Sequence, residues 1–170
     1  IGGTAGRTTL NGEGLQHQDG HSHILANTIP NCKAYDPAYG YEMAVVIRHG
    51  MKEMFEDNQN VFYYLTIENE NYEQPAMPKD SEDGIIKGMY KFESVETKGR
   101  KKSPRVQLLG SGAIMNEVRA AAQMLKDDWG VASDVWSVTS FNELARDGQH
   151  VERWNHLHPD DKPRKAYVTQ

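Results

Sequence analysis

Val106-Gln107-Leu108-Leu109-Gly110-Ser111-Gly112 is a short apolar run broken by a Gly-Ser-Gly turn. Ile114, Val118, Ala121, Ala122 and Leu125 then recur at helical spacing as far as Gly130, and Asp134-Val135-Trp136-Ser137-Val138 follows. The pattern predicts strand, helix and strand, with a glycine closing the helix. A crossover of this kind joins parallel strands and is right-handed. It places the chain in the α/β class. The Gly110-Ser111-Gly112 turn also allows a phosphate-cradle reading, because helix N-termini attract anions. It lacks the third glycine of the dinucleotide fingerprint and the Lys-Ser/Thr of a P-loop, so a tight strand-to-helix turn is favoured.

Working outward, Val61-Phe62-Tyr63-Tyr64-Leu65-Thr66-Ile67 is a β-branched and aromatic run that predicts a buried strand. Asp36-Pro37 predicts a helix start, with Asp36 as cap and Pro37 at the first helical position. Met43, Val46, Ile47, Gly50, Met51 and Met54 follow at helical spacing as a core stripe. The lone Cys32 excludes an internal disulfide and suits a small core position in a strand. Ile86, Met89, Tyr90 and Phe92 predict a strand or extended entry segment. Between Glu68 and Gly84 the chain turns acidic, carries Pro75 and Pro78 and loses apolar periodicity, as a domain junction does.

The densest chemistry lies near the start, in Gly12-Glu13-Gly14-Leu15-Gln16-His17-Gln18-Asp19-Gly20-His21-Ser22-His23. Imidazole titrates near neutral pH and binds metals, so three histidines beside acids suit proton transfer or metal ligation. The glycines argue for a loop and against a helix or strand. His17, His21 and His23, with Asp19 as a possible fourth ligand, match no compact zinc motif, and a glycine-rich loop gives three imidazoles no common geometry. No structural zinc is expected. A polar surface loop and an active-site loop both remain open from the residues alone.

The run from Gly2 to His23 closely resembles the homodimeric, bacterial type of pyruvate dehydrogenase, the thiamine-diphosphate-dependent decarboxylating component of its complex. Ile29-Pro30-Asn31-Cys32, Tyr35-Asp36-Pro37-Ala38-Tyr39, Asn69-Glu70-Asn71-Tyr72, Pro75-Ala76-Met77-Pro78, Leu108-Leu109-Gly110-Ser111-Gly112, Ser137-Val138-Thr139-Ser140-Phe141 and Glu143-Leu144-Ala145-Arg146-Asp147-Gly148 are similar to the same family in the same order. The resemblance implies a fragment of two transketolase-like α/β domains with mostly parallel strands. Residues 1–75 correspond to the C-terminal part of the pyrimidine-binding (transketolase central) domain. Residues 76–170 correspond to the N-terminal part of the transketolase-like C-terminal domain.

What the family does follows as expectation. The thiazolium carbon of thiamine diphosphate, bound with Mg2+, attacks pyruvate, carbon dioxide leaves, and the acetyl group passes to the lipoyl domain of dihydrolipoamide acetyltransferase. The cofactor carries the hard chemistry, and the protein orients it and moves protons. Carried over by position, His17 is the leading catalytic residue. His21 and His23 are further candidates, and Asp19 is placed to orient a ring by hydrogen bonding. Gln18 stands where family members commonly have Glu, which puts a charge at that position in doubt. The resemblance assigns no cofactor-binding or metal residue within the chain. The diphosphate and magnesium motif and the glutamate that activates the cofactor are expected upstream of Ile1. Two other readings are a relative such as transketolase, with a sugar phosphate substrate, and a non-enzymatic metal-binding module.

Composition narrows the partners. In 170 residues, 19 Lys and Arg stand against 24 Asp and Glu, a net charge of −5. No concentration of basic residues suggests nucleic acid. Lys98-Gly99-Arg100-Lys101-Lys102 is the basic run, and its Gly, Ser and Pro neighbours make it a solvated loop. The apolar run from Met43 to Ile47 falls far short of the about 20 residues that span a bilayer. The resemblance implies a homodimer in the bacterial cytoplasm, and the apolar runs give no sign of membrane contact.

Overall fold

The computed structural model describes residues 19–68, 71–97 and 104–170. Helix α1 (Ser22–Asn27) leads into strand β1 (Cys32–Tyr35), then helix α2 (Gly40–Met51), which ends in a π-helical turn over Lys52–Glu56. Strand β2 (Phe62–Leu65) pairs with β1 in parallel, Cys32 opposite Phe62 and Tyr35 opposite Leu65. The second half holds helix α3 (Glu82–Lys87), strands β3 (Tyr90–Val95) and β4 (Arg105–Gly110), helix α4 (Ile114–Trp129), strand β5 (Ala132–Ser137) and helix α5 (Phe141–Leu157). A 3-10 turn follows at Tyr167–Thr169.

The β4-α4-β5 unit forms as its sequence dictates. β4 and β5 are parallel, Arg105 opposite Ala132 and Gly110 opposite Ser137. Gly130 ends α4 in the left-handed region at φ 61°, which a glycine adopts without strain. β3 adds to the other side of β5 and runs antiparallel, giving the order β3-β5-β4. Parallel pairings therefore dominate, and the α/β class holds.

The two halves share their apolar core. Tyr35, Val45 and Val46 pack with Ile85 and Tyr90. Ala38 and Tyr39 pack with Met115, Ala122 and Val135. Arg146 of α5 donates to the carbonyls of Cys32 and Ile29, at 2.6 and 2.9 Å, and so ties the last helix to the first strand. Cys32 is buried at the start of β1, as expected of a small core residue.

Four local expectations need correction. α2 begins at Gly40 and not at Pro37, and Asp36 does not cap it. Glu42 folds back instead, accepting the N–H groups of Ala38 at 2.6 Å and Tyr39 at 3.2 Å. Within the expected core stripe, Val46 and Gly50 are buried while Ile47 and Met51 are exposed, since the helix turns the neighbouring Glu42 and Val45 inward. β2 is half exposed, with Phe62 and Tyr64 facing out, because among the described residues it pairs with β1 alone. Ile86 belongs to α3, and the strand begins only at Tyr90. The basic run 98–102 lies outside the described residues.

Candidate active site

In an open α/β sheet, the segments just past the C-terminal ends of parallel strands form the usual ligand crevice. Here four such ends meet. The N–H of Asp36, after β1, donates to Thr139 O after β5 at 2.8 Å, and the N–H of Gly112, after β4, donates to Asp36 O at 3.2 Å. The N–H of Thr66, after β2, donates to Tyr35 O at 3.1 Å. Beside this junction opens a crevice of about 260 Å³ lined by Asp19, His23, Asp36, Ser111, Phe141 and Asn142 among others.

The predicted residues are partly brought together. His17 lies outside the described residues. Asp19 and His23 line the crevice, whereas His21 is exposed and does not line it. His23 sits in the first turn of α1, not on a loop as the glycines suggested, because the last of those glycines is Gly20 and the helix starts just beyond it. Asp19 accepts both the N–H of Ser22 at 3.2 Å and its hydroxyl at 2.6 Å, which anchors the entry to that helix.

His23 is held from several directions. Its Nε2 lies 2.9 Å from Thr66 Oγ1. The Tyr64 ring meets it edge-on at 5.5 Å. Asn142, in the first turn of α5, donates to the His23 carbonyl at 2.9 Å. Behind Thr66 stands Asp36, only 6% exposed, whose Oδ1 takes the Thr66 hydroxyl at 2.5 Å and whose Oδ2 takes the Ser111 hydroxyl at 2.6 Å. Ser140 fixes the opposite wall, donating to Ala34 O at 2.6 Å and accepting the N–H of Glu143 at 3.0 Å as the cap of α5.

The Gly110-Ser111-Gly112 turn is a tight turn. A Cβ at Gly112, where φ is 53°, would stand 3.1 Å from both Asp36 carboxylate oxygens. The Asp36 carboxylate therefore stands against this turn, which disfavours a phosphate there. Among the described residues no group of three His, Cys, Asp or Glu side chains is placed to hold a metal ion. These residues do not fit a magnesium-diphosphate group. Their chemistry is that of hydroxyls, one imidazole and carboxylates: hydrogen bonding and proton transfer.

Asp36, Thr66, Ser111 and Asn142 escaped the sequence reading as site residues. The signal that could have found three of them is positional, since Asp36, Thr66 and Ser111 each directly follow a strand of a parallel pair.

A second polar cluster crosses the same seam deeper in. Glu42 is fully buried and accepts the hydroxyls of Tyr90 at 2.7 Å and Ser137 at 2.6 Å besides its two backbone N–H groups. Tyr41 and Tyr90 bond to each other through their hydroxyls. Burial pushes the Glu42 carboxyl above the ordinary range, against the pull of its hydrogen bonds.

Residues 1–75 match the model of the pyruvate dehydrogenase E1 component middle domain, and residues 88–170 match the transketolase-like C-terminal domain. The chain is 64% identical over 170 residues to the pyruvate dehydrogenase E1 component of Pseudomonas aeruginosa, covering 100% of this chain and 19% of that protein. To the Escherichia coli counterpart it is 61% identical over 172 residues, again covering 100% and 19%. Among solved structures, a transketolase variant from Pichia stipitis in complex with fructose 6-phosphate matches with a TM-score of 0.54 and 18% identity, covering 76% of this chain and 17% of that one. That likeness speaks for the fold. No helix among the described residues is long and apolar enough to cross a membrane. The chain spans about a fifth of the length of the curated relatives it matches, and along all of that span it belongs to the family of the pyruvate dehydrogenase E1 component.

Proposed function

We propose that this chain forms one wall of the active site in a pyruvate dehydrogenase E1 component. The full-length protein decarboxylates pyruvate and passes the acetyl group to the lipoyl domain of dihydrolipoamide acetyltransferase. It works as a homodimer in the bacterial cytoplasm. The observation that carries this reading is the identity of 64% and 61% to two E1 components, unbroken across the chain.

Thiamine diphosphate and Mg2+ serve the full-length protein and are held mainly by parts of it outside this chain. The division of labour runs near residue 75, with 1–75 as the end of the pyrimidine-binding domain and 76–170 as the start of the C-terminal domain. His17, His21 and His23 supply proton-handling groups, His17 foremost. Asp19 holds the entry to the helix that carries His23.

The test uses the full-length protein with pyruvate and an isolated lipoyl domain. Acetylation of the lipoyl group that depends on added thiamine diphosphate and Mg2+ is the expected result. No acetylation, with turnover of a sugar phosphate instead, would replace this reading with a transketolase-type one.

A further inference from the structure

The hydroxyl of Thr66 sits between an imidazole and a carboxylate, and it has a single proton to give. Its candidate acceptors are Asp36 Oδ1 at 2.5 Å, His23 Nε2 at 2.9 Å and Tyr35 O at 3.4 Å. The short bond to a carboxylate decides the choice, since charge-assisted hydrogen bonds are shorter and roughly twice as strong as neutral ones. With its proton committed to Asp36, the Thr66 oxygen faces His23 Nε2 at 2.9 Å as an acceptor. The ring nitrogen must therefore be the donor.

We propose that Thr66 and Asp36 are positioning residues for His23, holding it as the Nε2–H tautomer so that Nδ1 is the basic nitrogen of the neutral ring. This rests on the reading of His23 as a site residue. Ser111 completes the device from the second half of the chain, by fixing the other oxygen of Asp36 at 2.6 Å. Gly112 makes room for it, because any side chain there would press on both Asp36 oxygens. The line therefore runs His23, Thr66, Asp36, Ser111, and each bond polarises the next. The orientation is reinforced by the Tyr64 edge and by Asn142 on the His23 carbonyl. A group behind an imidazole that fixes its tautomer and orientation changes activity by about 10- to 100-fold when removed from well-studied metal sites, which sets the scale here.

The proposal makes the tautomer of His23 an observable. In full-length protein carrying 13C,15N-histidine, with His23→Gln used to identify the signal, solid-state NMR should show His23 protonated at Nε2. Thr66→Ser, which keeps the hydroxyl, should preserve that signature. Thr66→Val, which keeps the shape and removes the hydroxyl, should lose it and slow acetyl transfer about tenfold with the KM for pyruvate unchanged. A ring protonated at Nδ1 in the parent, or an unchanged signature in Thr66→Val, overturns the relay whatever the kinetics. Parent-like turnover by His23→Gln, where the parent itself shows the Nε2–H signature, instead removes His23 from the reaction, and the positioning role falls with it.

Discussion

Glu42 and Asp36 both reach from the first half of the chain to hydroxyls of the second, yet only Asp36 borders open space. Glu42 gathers two backbone N–H groups and the hydroxyls of Tyr90 and Ser137, all inside the core. Asp36 takes the hydroxyls of Thr66 and Ser111, and Thr66 passes the connection on to an imidazole that lines the crevice. The donor types are alike. What differs is where the line of hydrogen bonds leads: one closes on itself as a structural clasp, and the other reaches an imidazole that lines the crevice. Burial without an outlet yields stability and specificity, and under the proposed function burial beneath an outlet positions His23 as an acid or base.

The sharpest way to break the comparison is to empty the clasp. Glu42→Ala leaves the Tyr90 and Ser137 hydroxyls and two backbone N–H groups buried without their acceptor. Each orphaned buried donor costs about 1–3 kcal/mol, so the variant should lose about 3 kcal/mol or more. Thermal or denaturant unfolding of the full-length protein measures it, and a loss under about 1 kcal/mol would deny Glu42 the structural role. Next in size is Gly112→Ala. Its backbone at φ 53° strains a side chain, and the new methyl presses on the Asp36 carboxylate. A cost of about 1–3 kcal/mol is expected, together with slower acetyl transfer, as the strain reaches the relay.

Titration separates two carboxylates by sign. Burial raises the carboxyl of Glu42, so between the ordinary glutamate value and its raised one the folded state binds more protons than the unfolded. Its contribution falls as pH rises through that window. Glu53 is half-buried, which pushes its carboxyl up, but Lys33 at 2.8 Å and Tyr63 at 2.5 Å overcome this and hold it below the ordinary range. Its contribution is fully present above the ordinary glutamate value and is lost as pH falls through the lowered one. Stability of the parent relative to Glu42→Gln should therefore decline with rising pH, and relative to Glu53→Gln it should climb. Slopes of the same sign would refute the assignment. The smallest effect belongs to His49, in the last turn of α2 and not among the crevice residues, whose contact is Glu53 at 3.4 Å one turn on. His49→Ala should change stability by no more than about 0.5 kcal/mol and leave turnover as it is, measured by unfolding and steady-state kinetics.

The β4-α4-β5 unit was legible because each of its signals agreed: apolar run, Gly-Ser-Gly turn, helical period and Gly130 stop. Asp36-Pro37 has the local form of a helix start, yet α2 begins at Gly40 and Asp36 does not cap it. Its side chain went to Thr66 and Ser111, 30 and 75 residues away. The burial of β2 was overestimated because composition gives β-propensity but not the number of neighbours a strand acquires. At the site, His23 and Asp19 stood out by residue type, whereas Thr66 and Ser111 are ordinary hydroxyls that become significant only when strand ends converge. His23 lies 43 residues from Thr66, so no local pattern joins them.

The central claim is that this chain carries proton-handling histidines for an acetyl-transferring reaction, and His17 tests it most directly. In the full-length enzyme with thiamine diphosphate and Mg2+ saturating, His17→Ala should bind the cofactor as the parent does and slow acetyl transfer by roughly 10²-fold or more, the scale of losing a positioned acid or base. Transfer at the parent rate, with cofactor binding and unfolding temperature unchanged, would contradict the account and leave the histidine-rich segment as a polar surface element.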